Sequence, residues 1–366
     1  MKALFLIAAL AIAAPAAADV TLFGSAGAES QHAPANAASP LNPANFLSLR
    51  NRSTSADFAV FVTAAQERWK IKTKIRGDAE DGGEQRVEVA EASLQWQISD
   101  AIDVTAGRVI EKWGAGYGWT PTSFIGPARN PADPGDRRSL SRGREMIRLS
   151  ALAGETQLSL YLLEAGAAAV RVQRLIAGTD VALMAYRDGD THREGISLSR
   201  VFGDALELHA DAALSQSGYG RASHAVVGGQ YTWKRANFVV ELHHRSDGLS
   251  PSQWSAFRAG VDDALRTNDF SSLVASNRSF TPLQMGRRYT FVRAARALLP
   301  IVSDAELIVI TNLHDGSSVV RAALTRKLQG NLDVFIMNTE FVGAEGSELS
   351  YIQVGRITTA GLRLHF

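Results

Sequence analysis

Short segments in which apolar and polar residues alternate run along most of the chain. Residues 69–76 read Trp-Lys-Ile-Lys-Thr-Lys-Ile-Arg, so a strand there has an apolar face and a basic face. Residues 94–99 and 206–214 alternate in the same way. Segments of about ten residues with this period, bounded by turn residues, are typical of transmembrane barrel strands. A soluble β-sandwich also alternates, so the pattern predicts an all-β chain with two candidate architectures.

The lengths of the connections favour the barrel. The strands are placed at 20–30, 57–67, 69–76, 87–98, 102–112, 145–152, 155–164, 168–176, 179–187, 195–202, 204–214, 223–234, 236–245, 287–298, 304–313, 317–328, 331–342 and 349–366. Every long connection then follows an odd-numbered strand, namely 31–56, 77–86, 113–144, 188–194, 215–222 and 246–286. Barrels of the outer membrane have short periplasmic turns and longer extracellular loops. We therefore expect an antiparallel up-and-down transmembrane β-barrel of about 18 strands, with 16 as the alternative count.

The start of the chain predicts export. Residues 1–18 combine Lys2, a short apolar run and an Ala-Ala-Ala cleavage site, as in a secretory signal peptide. Residues 19–366 then form a single barrel domain. Loss of Lys2 leaves 37 basic against 37 acidic residues, a balance that does not favour nucleic acid as a partner. The chain has no cysteine, which excludes thiolate metal sites, and we expect no metal and no cofactor.

The C-terminal residues carry a family resemblance. Leu362, Leu364 and the terminal Phe366 alternate with Arg363 and His365. This segment resembles the terminal strand of Gram-negative outer-membrane barrels, and the whole chain resembles monomer-type outer-membrane channels of 16 to 18 strands. The resemblance implies location in the outer membrane of a Gram-negative bacterium. It also implies contact with membrane lipid and lipopolysaccharide, and recognition of Phe366 by the barrel-insertion machinery.

The long interval 113–144 is rich in glycine, proline, aromatic residues and arginine. In its position as the third extracellular loop, it resembles the inward-folded constriction loop of general porins. Its aromatic side chains need burial, which an outward-pointing loop would not provide. One interpretation is a constriction that selects anions or stacks sugars on its aromatic faces. The alternatives are a packed plug whose arginines are neutralised by nearby acids, and a rim that contacts lipopolysaccharide phosphates. The residues predicted to contact a solute are Trp113, Tyr117, Trp119, Arg129, Arg137, Arg138, Arg142, Arg144 and Arg148.

A basic ladder is predicted on the lumenal wall beside this loop. Lys70, Lys72, Lys74 and Arg76 share one face of a strand, and that face cannot meet hydrocarbon, where each charge costs about 2–4 kcal/mol near the midplane. Pairing with Glu88 or Glu91 on the next strand is the alternative to an open ladder. Gly107-Arg108 and Trp113-Gly114-x-Gly116 also resemble, over a few residues, barrels that export or attach acidic polysaccharide.

The loop 246–286 contains a helix signal. Ser250 before Pro251 is a good helix start, and apolar residues recur at helical spacing from Trp254 to Leu265. A short amphipathic helix is therefore expected over the pore mouth, as a cap or as a gate.

The function predicted from these features is passive passage of small anionic or sugar-like solutes. A largely plugged surface barrel that binds polysaccharide or a protein partner is the alternative. A hydrolase is a minor alternative, with His209 near Glu207 and Asp211, and His243 near Glu241, as candidates. No Gly-x-Ser-x-Gly or His-Glu-x-x-His motif supports it, so we expect no enzymatic activity. The oligomeric state is left open.

Overall fold

The strands of the chain close into one barrel. A computed structural model describes residues 18–218, 220–297, 303–328 and 330–366; the predicted signal peptide lies almost wholly outside these residues. They contain 18 strands, each antiparallel to its neighbours in chain order, and β1 pairs with both β2 and β18. The strands are β1 Asp19–His32, β2 Arg52–Gln66, β3 Trp69–Glu80, β4 Arg86–Ser99, β5 Ile102–Val109, β6 Arg144–Ala153, β7 Thr156–Leu163, β8 Ala168–Ile176, β9 Thr179–Asp188, β10 Thr191–Phe202, β11 Leu206–Ser217, β12 Gly220–Trp233, β13 Ala236–Arg245, β14 Arg288–Ala297, β15 Asp304–Asn312, β16 Ser318–Lys327, β17 Leu332–Val342 and β18 Arg356–His365. The predicted fold class and strand count are confirmed.

The register divides side chains between an outer and a lumenal face. Leu94, Trp96 and Leu208 are exposed apolar residues on the outer face. Lys72 lies opposite Thr63 and Ser93 on the neighbouring strands, so the basic residues of β3 take the lumenal face. A closed sheet of this kind pairs every strand edge, which is what allows strands to cross hydrocarbon.

Two of the connections predicted to be long are short. The apolar pattern predicts loops at residues 188–194 and 215–222, but β10 begins at Thr191, β11 continues to Ser217 and β12 begins at Gly220. The two sheet ends therefore extend further than the apolar pattern indicates. Polar residues such as Arg193 and Gln216 continue the ladder there, because paired backbone does not require apolar side chains outside hydrocarbon.

Three long connections on the same end of the barrel pack into a cap. The helices α1 Pro251–Thr267 and α2 Phe270–Ser279 lie in the connection between β13 and β14. Ser250 caps α1 in a capping box with Gln253, which confirms the predicted helix, whereas α2 was not predicted. Trp254, Leu41 and Tyr351 bury one cluster between this connection and the loops 33–51 and 343–355. Neither described helix is long and apolar enough to span a membrane.

Glu348 joins the cap to the barrel rim. Its carboxylate accepts hydrogen bonds from the Tyr289 hydroxyl at 2.8 Å and from the Asn312 and Met285 nitrogens. Burial raises the pKa of Glu348. A buried carboxylate with three donors fixes the position of the loop that carries it.

Candidate functional site

The connection between β5 and β6, residues 110–143, crosses the inside of the barrel. Ala115 and Gly116 donate their backbone N–H groups to Asp211 on β11, at 3.2 and 3.0 Å. The backbone N–H groups of Tyr117 and Gly118 donate to Glu241 on β13, the second at 2.8 Å. Since β11 and β13 stand far around the sheet from β5 and β6, the loop tip is fixed to a distant wall of the lumen.

The glycines of the loop tip make this anchoring sterically feasible. Gly114 has φ +89°, a conformation that glycine adopts without strain. A Cβ atom on Gly116 would lie 2.0 Å from the Trp119 carbonyl oxygen. A Cβ on Gly118 would lie 2.9 Å from the Phe291 ring. The sequence Trp-Gly-Ala-Gly-Tyr-Gly-Trp therefore allows four consecutive amides to approach two carboxylates.

The histidines that suggested catalysis belong to this anchor. His209 Nε2 lies 2.8 Å from Glu241, and its Nδ1 lies 3.5 Å from Glu207. His243 stacks on the Trp119 ring with 4.6 Å between ring centroids. Among the described residues neither histidine makes a hydrogen bond to a serine hydroxyl. The arrangement of both histidines therefore supports the loop tip.

The aromatic residues of the loop pack inside the protein. Trp113 is 1% exposed and meets Phe124 and Tyr161 edge-on, at 6.1 and 5.2 Å between centroids. Tyr117 packs against Phe291, and the Arg293 guanidinium lies 5.0 Å from the centroid of the Tyr117 ring. Trp113 thus supports the base of the loop, while Tyr117 and Trp119 are half-buried at its tip.

Two loop arginines neutralise acids near the barrel seam. Arg137 contacts Glu29 on β1 at 2.8 Å and lies over the Phe335 ring. Arg138 lies 3.6 Å from Asp57 on β2 and 3.8 Å from Glu29. Both acids are buried, so these guanidinium groups are committed to internal pairs.

Arg144 and Arg148 are also paired, at the start of β6. Arg144 lies 3.6 Å from Glu164. Arg148 lies 3.1 Å from Glu111 and 3.5 Å from Asp103.

Arg129 and Arg142 differ in their contacts and in the exposure of their side chains. Arg129 donates to the backbone carbonyl groups of Gly116 and Tyr117, at 2.6 and 2.8 Å, and so stiffens the tip. Arg142 approaches Glu88 at 3.3 Å, but its side chain is 55% exposed. Among the five predicted arginines that form ion pairs, Arg142 has the most exposed side chain.

The basic residues of β3 divide into a paired and an open half. Lys74 is buried and donates to the Ser141 carbonyl of the loop at 3.0 Å. Arg76 Nε donates to Glu88 at 2.7 Å. Lys70 and Lys72 are exposed, and neither forms an ion pair with another described residue.

Cavities of mixed polar and apolar lining adjoin the loop and the lower wall of the barrel. One of 480 Å³ lies beside the tip, lined by Trp119, Arg129, His243 and Arg245. Arg245 is bound by Asp247, whose pKa it holds at about 2 against the opposing effect of burial. A second cavity of 360 Å³ lies within the loop and includes Lys112, Asp136 and Arg142. A third, of 530 Å³, is lined by Lys70, Gln95, Gln97 and Asp103 near the opposite end of the barrel.

The anchoring acids are the residues that sequence reasoning missed in this role. Asp211 and Glu241 alternate with apolar residues, which places them on the lumenal face, but it does not say which segment they meet. The hydrogen-bonded partners are 95 and 124 residues apart in the chain. Only closure of the barrel brings them together.

Comparison with known proteins supports the fold. No protein-family model and no curated protein sequence matches the chain. Among solved structures, Acinetobacter baumannii OccAB4 is similar over 95% of this chain and 98% of its own, with TM-score 0.62 and 6% identity. Pseudomonas aeruginosa OpdQ is similar over 96% and 99%, with TM-score 0.60 and 8% identity. A. baumannii OccAB1 gives TM-score 0.56 and 8% identity over 95% and 96%. The chain therefore has the 18-stranded fold of outer-membrane porin-like barrels.

Proposed function

We propose that this protein is an outer-membrane channel for diffusion of small anionic or sugar-like solutes, with residues 110–143 as its constriction. The observation that carries the proposal is the fixed path of the loop across the lumen, held by backbone amides on Asp211 and Glu241. A barrel of 18 strands is too wide for opposing wall side chains to fill. Irregular backbone at membrane depth is tolerated inside protein or beside a water-filled cavity, and cavities lined in part by charged side chains adjoin this loop.

The ion pairs inside the barrel reduce the number of basic residues that are available to contact an anion. Arg137, Arg138 and Arg148 face acids within the protein, so a solute gains little from them. Arg142 at the loop, with Lys70 and Lys72 along β3, retains exposed positive charge. We assign anion attraction to this open series. It begins at the cavity within the loop and ends at the cavity near Gln95 and Gln97.

Single-channel recording in planar bilayers tests the proposal. Stepwise conductance with a preference for chloride over potassium supports a channel with the open basic series. Insertion without current would overturn it and would support the second candidate, a plugged surface barrel. The second candidate also has an observation in its favour, because acids neutralise most of the loop arginines.

Replacing Arg142 by alanine should lower the anion preference of the channel by up to about fivefold, since one charge at 4 Å in water contributes about 1 kcal/mol. The reversal potential across a potassium chloride gradient measures this change. Arg144→Ala is the matched control, because Arg144 already lies against Glu164 and the Tyr186 hydroxyl. Equal shifts for the two variants would contradict the assignment of selectivity to the exposed guanidinium.

A further inference from the structure

A groove on the outer face of the barrel combines a small-residue floor with apolar sides. It has a volume of 820 Å³ and lies across β13–β16. Ala294, Ala305 and Ala322 occupy outward positions on three adjacent strands and form its floor. Larger exposed residues border it, namely Trp233, Phe238, Leu307 and Leu324. The wall is therefore recessed at the three alanines, because their methyl side chains are shorter than the aromatic and leucine side chains around them.

Positive charge gathers at one end of this groove. Arg296 lines the groove and shares the outward face of β14 with Ala294. Arg326 lies just beyond the lining, on the outward face of β16 two residues after Leu324. Lys234 and Arg235 form the adjacent turn between β12 and β13. The Lys234 amine lies 5.0 Å from the Trp233 ring centroid. All four basic side chains are exposed, and none forms an ion pair with another residue in the described part of the chain.

Among the described residues of this wall, no acid takes an outward position. Glu306 is one of the residues that line the groove, but its carboxylate pairs with Arg293 and Arg321 on the lumenal side. On β12–β16, the described outward positions carry apolar, small, hydroxyl, histidine or basic residues. The acids of these strands, such as Glu241 and Glu306, occupy the lumenal face, where they meet the loop and Arg293. The basic end of the groove is therefore complementary to an anion that approaches from outside the barrel.

We propose that this groove binds a phospholipid with a net negative headgroup. Its acyl chains lie along the alanine floor, and its phosphodiester meets Arg296 and Arg326. These arginines are two strands apart and offset by two residues along the strands, about 12 Å by the usual strand dimensions, so they flank one headgroup. The basic end is the short-turn end of the sheet, where the turn 234–235 lies, which places the lipid in the periplasmic leaflet. A zwitterionic headgroup fits less well, because its ammonium group has no carboxylate to meet.

Lipid retention in native mass spectrometry tests this site. The protein in mild detergent is titrated with phosphatidylglycerol or with phosphatidylethanolamine. The detergent is then removed in the mass spectrometer, and the fraction of protein that retains lipid is measured. We expect phosphatidylglycerol to be retained preferentially. The double variant Arg296→Gln with Arg326→Gln should weaken its retention about tenfold or more, since each basic side chain near an anionic lipid contributes about 1 kcal/mol.

Two further variants separate this site from general charge attraction. Arg200→Gln removes an exposed outward arginine near the same end of the barrel, on β10 beside Phe202 and away from the groove. It should leave retention unchanged. Ala305→Phe fills the floor and should displace the lipid while leaving all four basic residues in place. Equal retention of the two lipids, no effect of the double variant, or an equal effect of Arg200→Gln would overturn the proposal. Heat-dependent gel mobility verifies that each variant is a folded barrel, and channel conductance is read separately.

Discussion

Replacing Asp211 and Glu241 together by alanine should raise single-channel conductance several-fold. The two carboxylates accept all four backbone N–H groups of residues 115–118. Hydrogen bonds to charged groups contribute about 1.5–3 kcal/mol each, so their loss removes the main attachment of the loop tip to the far wall. A tip released from that wall no longer holds a fixed constriction. Conductance and its noise in planar bilayers measure the change.

Glu207→Ala is the matched control for the anchor. Glu207 is a lumenal acid on the same strand as Asp211, but it contacts Ser199 and His209 rather than the loop backbone. Its loss should leave conductance close to that of the parent protein. Gly116→Val offers an independent route, because its Cβ would collide with the Trp119 carbonyl group and leaves both wall acids intact. Unchanged conductance in both the double alanine variant and Gly116→Val would show that this loop does not limit flow.

The strands could be predicted from the sequence because their signal is local. A membrane-facing wall requires apolar residues at every second position, and short turns on one end repeat in register with them. The signal fades where a strand leaves hydrocarbon. His192, Arg193 and Glu194 read as loop, although they continue β10 by pairing with β9 and β11. Backbone pairing holds them in the sheet without an apolar face.

For the candidate site, the sequence predicts which residue types the loop contains but not which residues they contact. The crowding of glycine, aromatic residues and arginine between residues 113 and 144 identified an unusual loop. It did not identify the partners of those arginines, because Arg137 meets Glu29 and Arg138 meets Asp57 across the first strands of the barrel. Each partner is fixed by barrel closure and by the path of the loop. A period-two pattern shows which face of the sheet a residue occupies, but it does not show which residue it contacts across the lumen.

Replacing Asp57 by alanine should destabilise the barrel by about 3–5 kcal/mol, the usual cost of removing one member of a buried ion pair. Asp57 on β2 forms two hydrogen bonds of 2.9 Å with Arg363 on β18, and both side chains are buried. The pair crosses β1 above Gly27, where a Cβ would lie 2.7 Å from the guanidinium. It therefore joins the second strand to the last one, across the seam that closes the sheet. The midpoint of heat-dependent gel mobility in detergent measures the loss.

Two comparisons show whether the cost arises from an unpaired buried charge. The double variant Asp57→Ala with Arg363→Met should recover much of the stability, because it removes the guanidinium that the single variant leaves unpaired. Glu340→Ala breaks an exposed pair with Arg356 on adjacent strands, and exposed pairs contribute at most about 1 kcal/mol. If Asp57→Ala were no more harmful than Glu340→Ala, closure of the seam would rest on backbone pairing between β1 and β18 alone. If the double variant were as unstable as the single one, the loss would lie in the contact of Asp57 with Arg138, which carries the inward loop to this same wall.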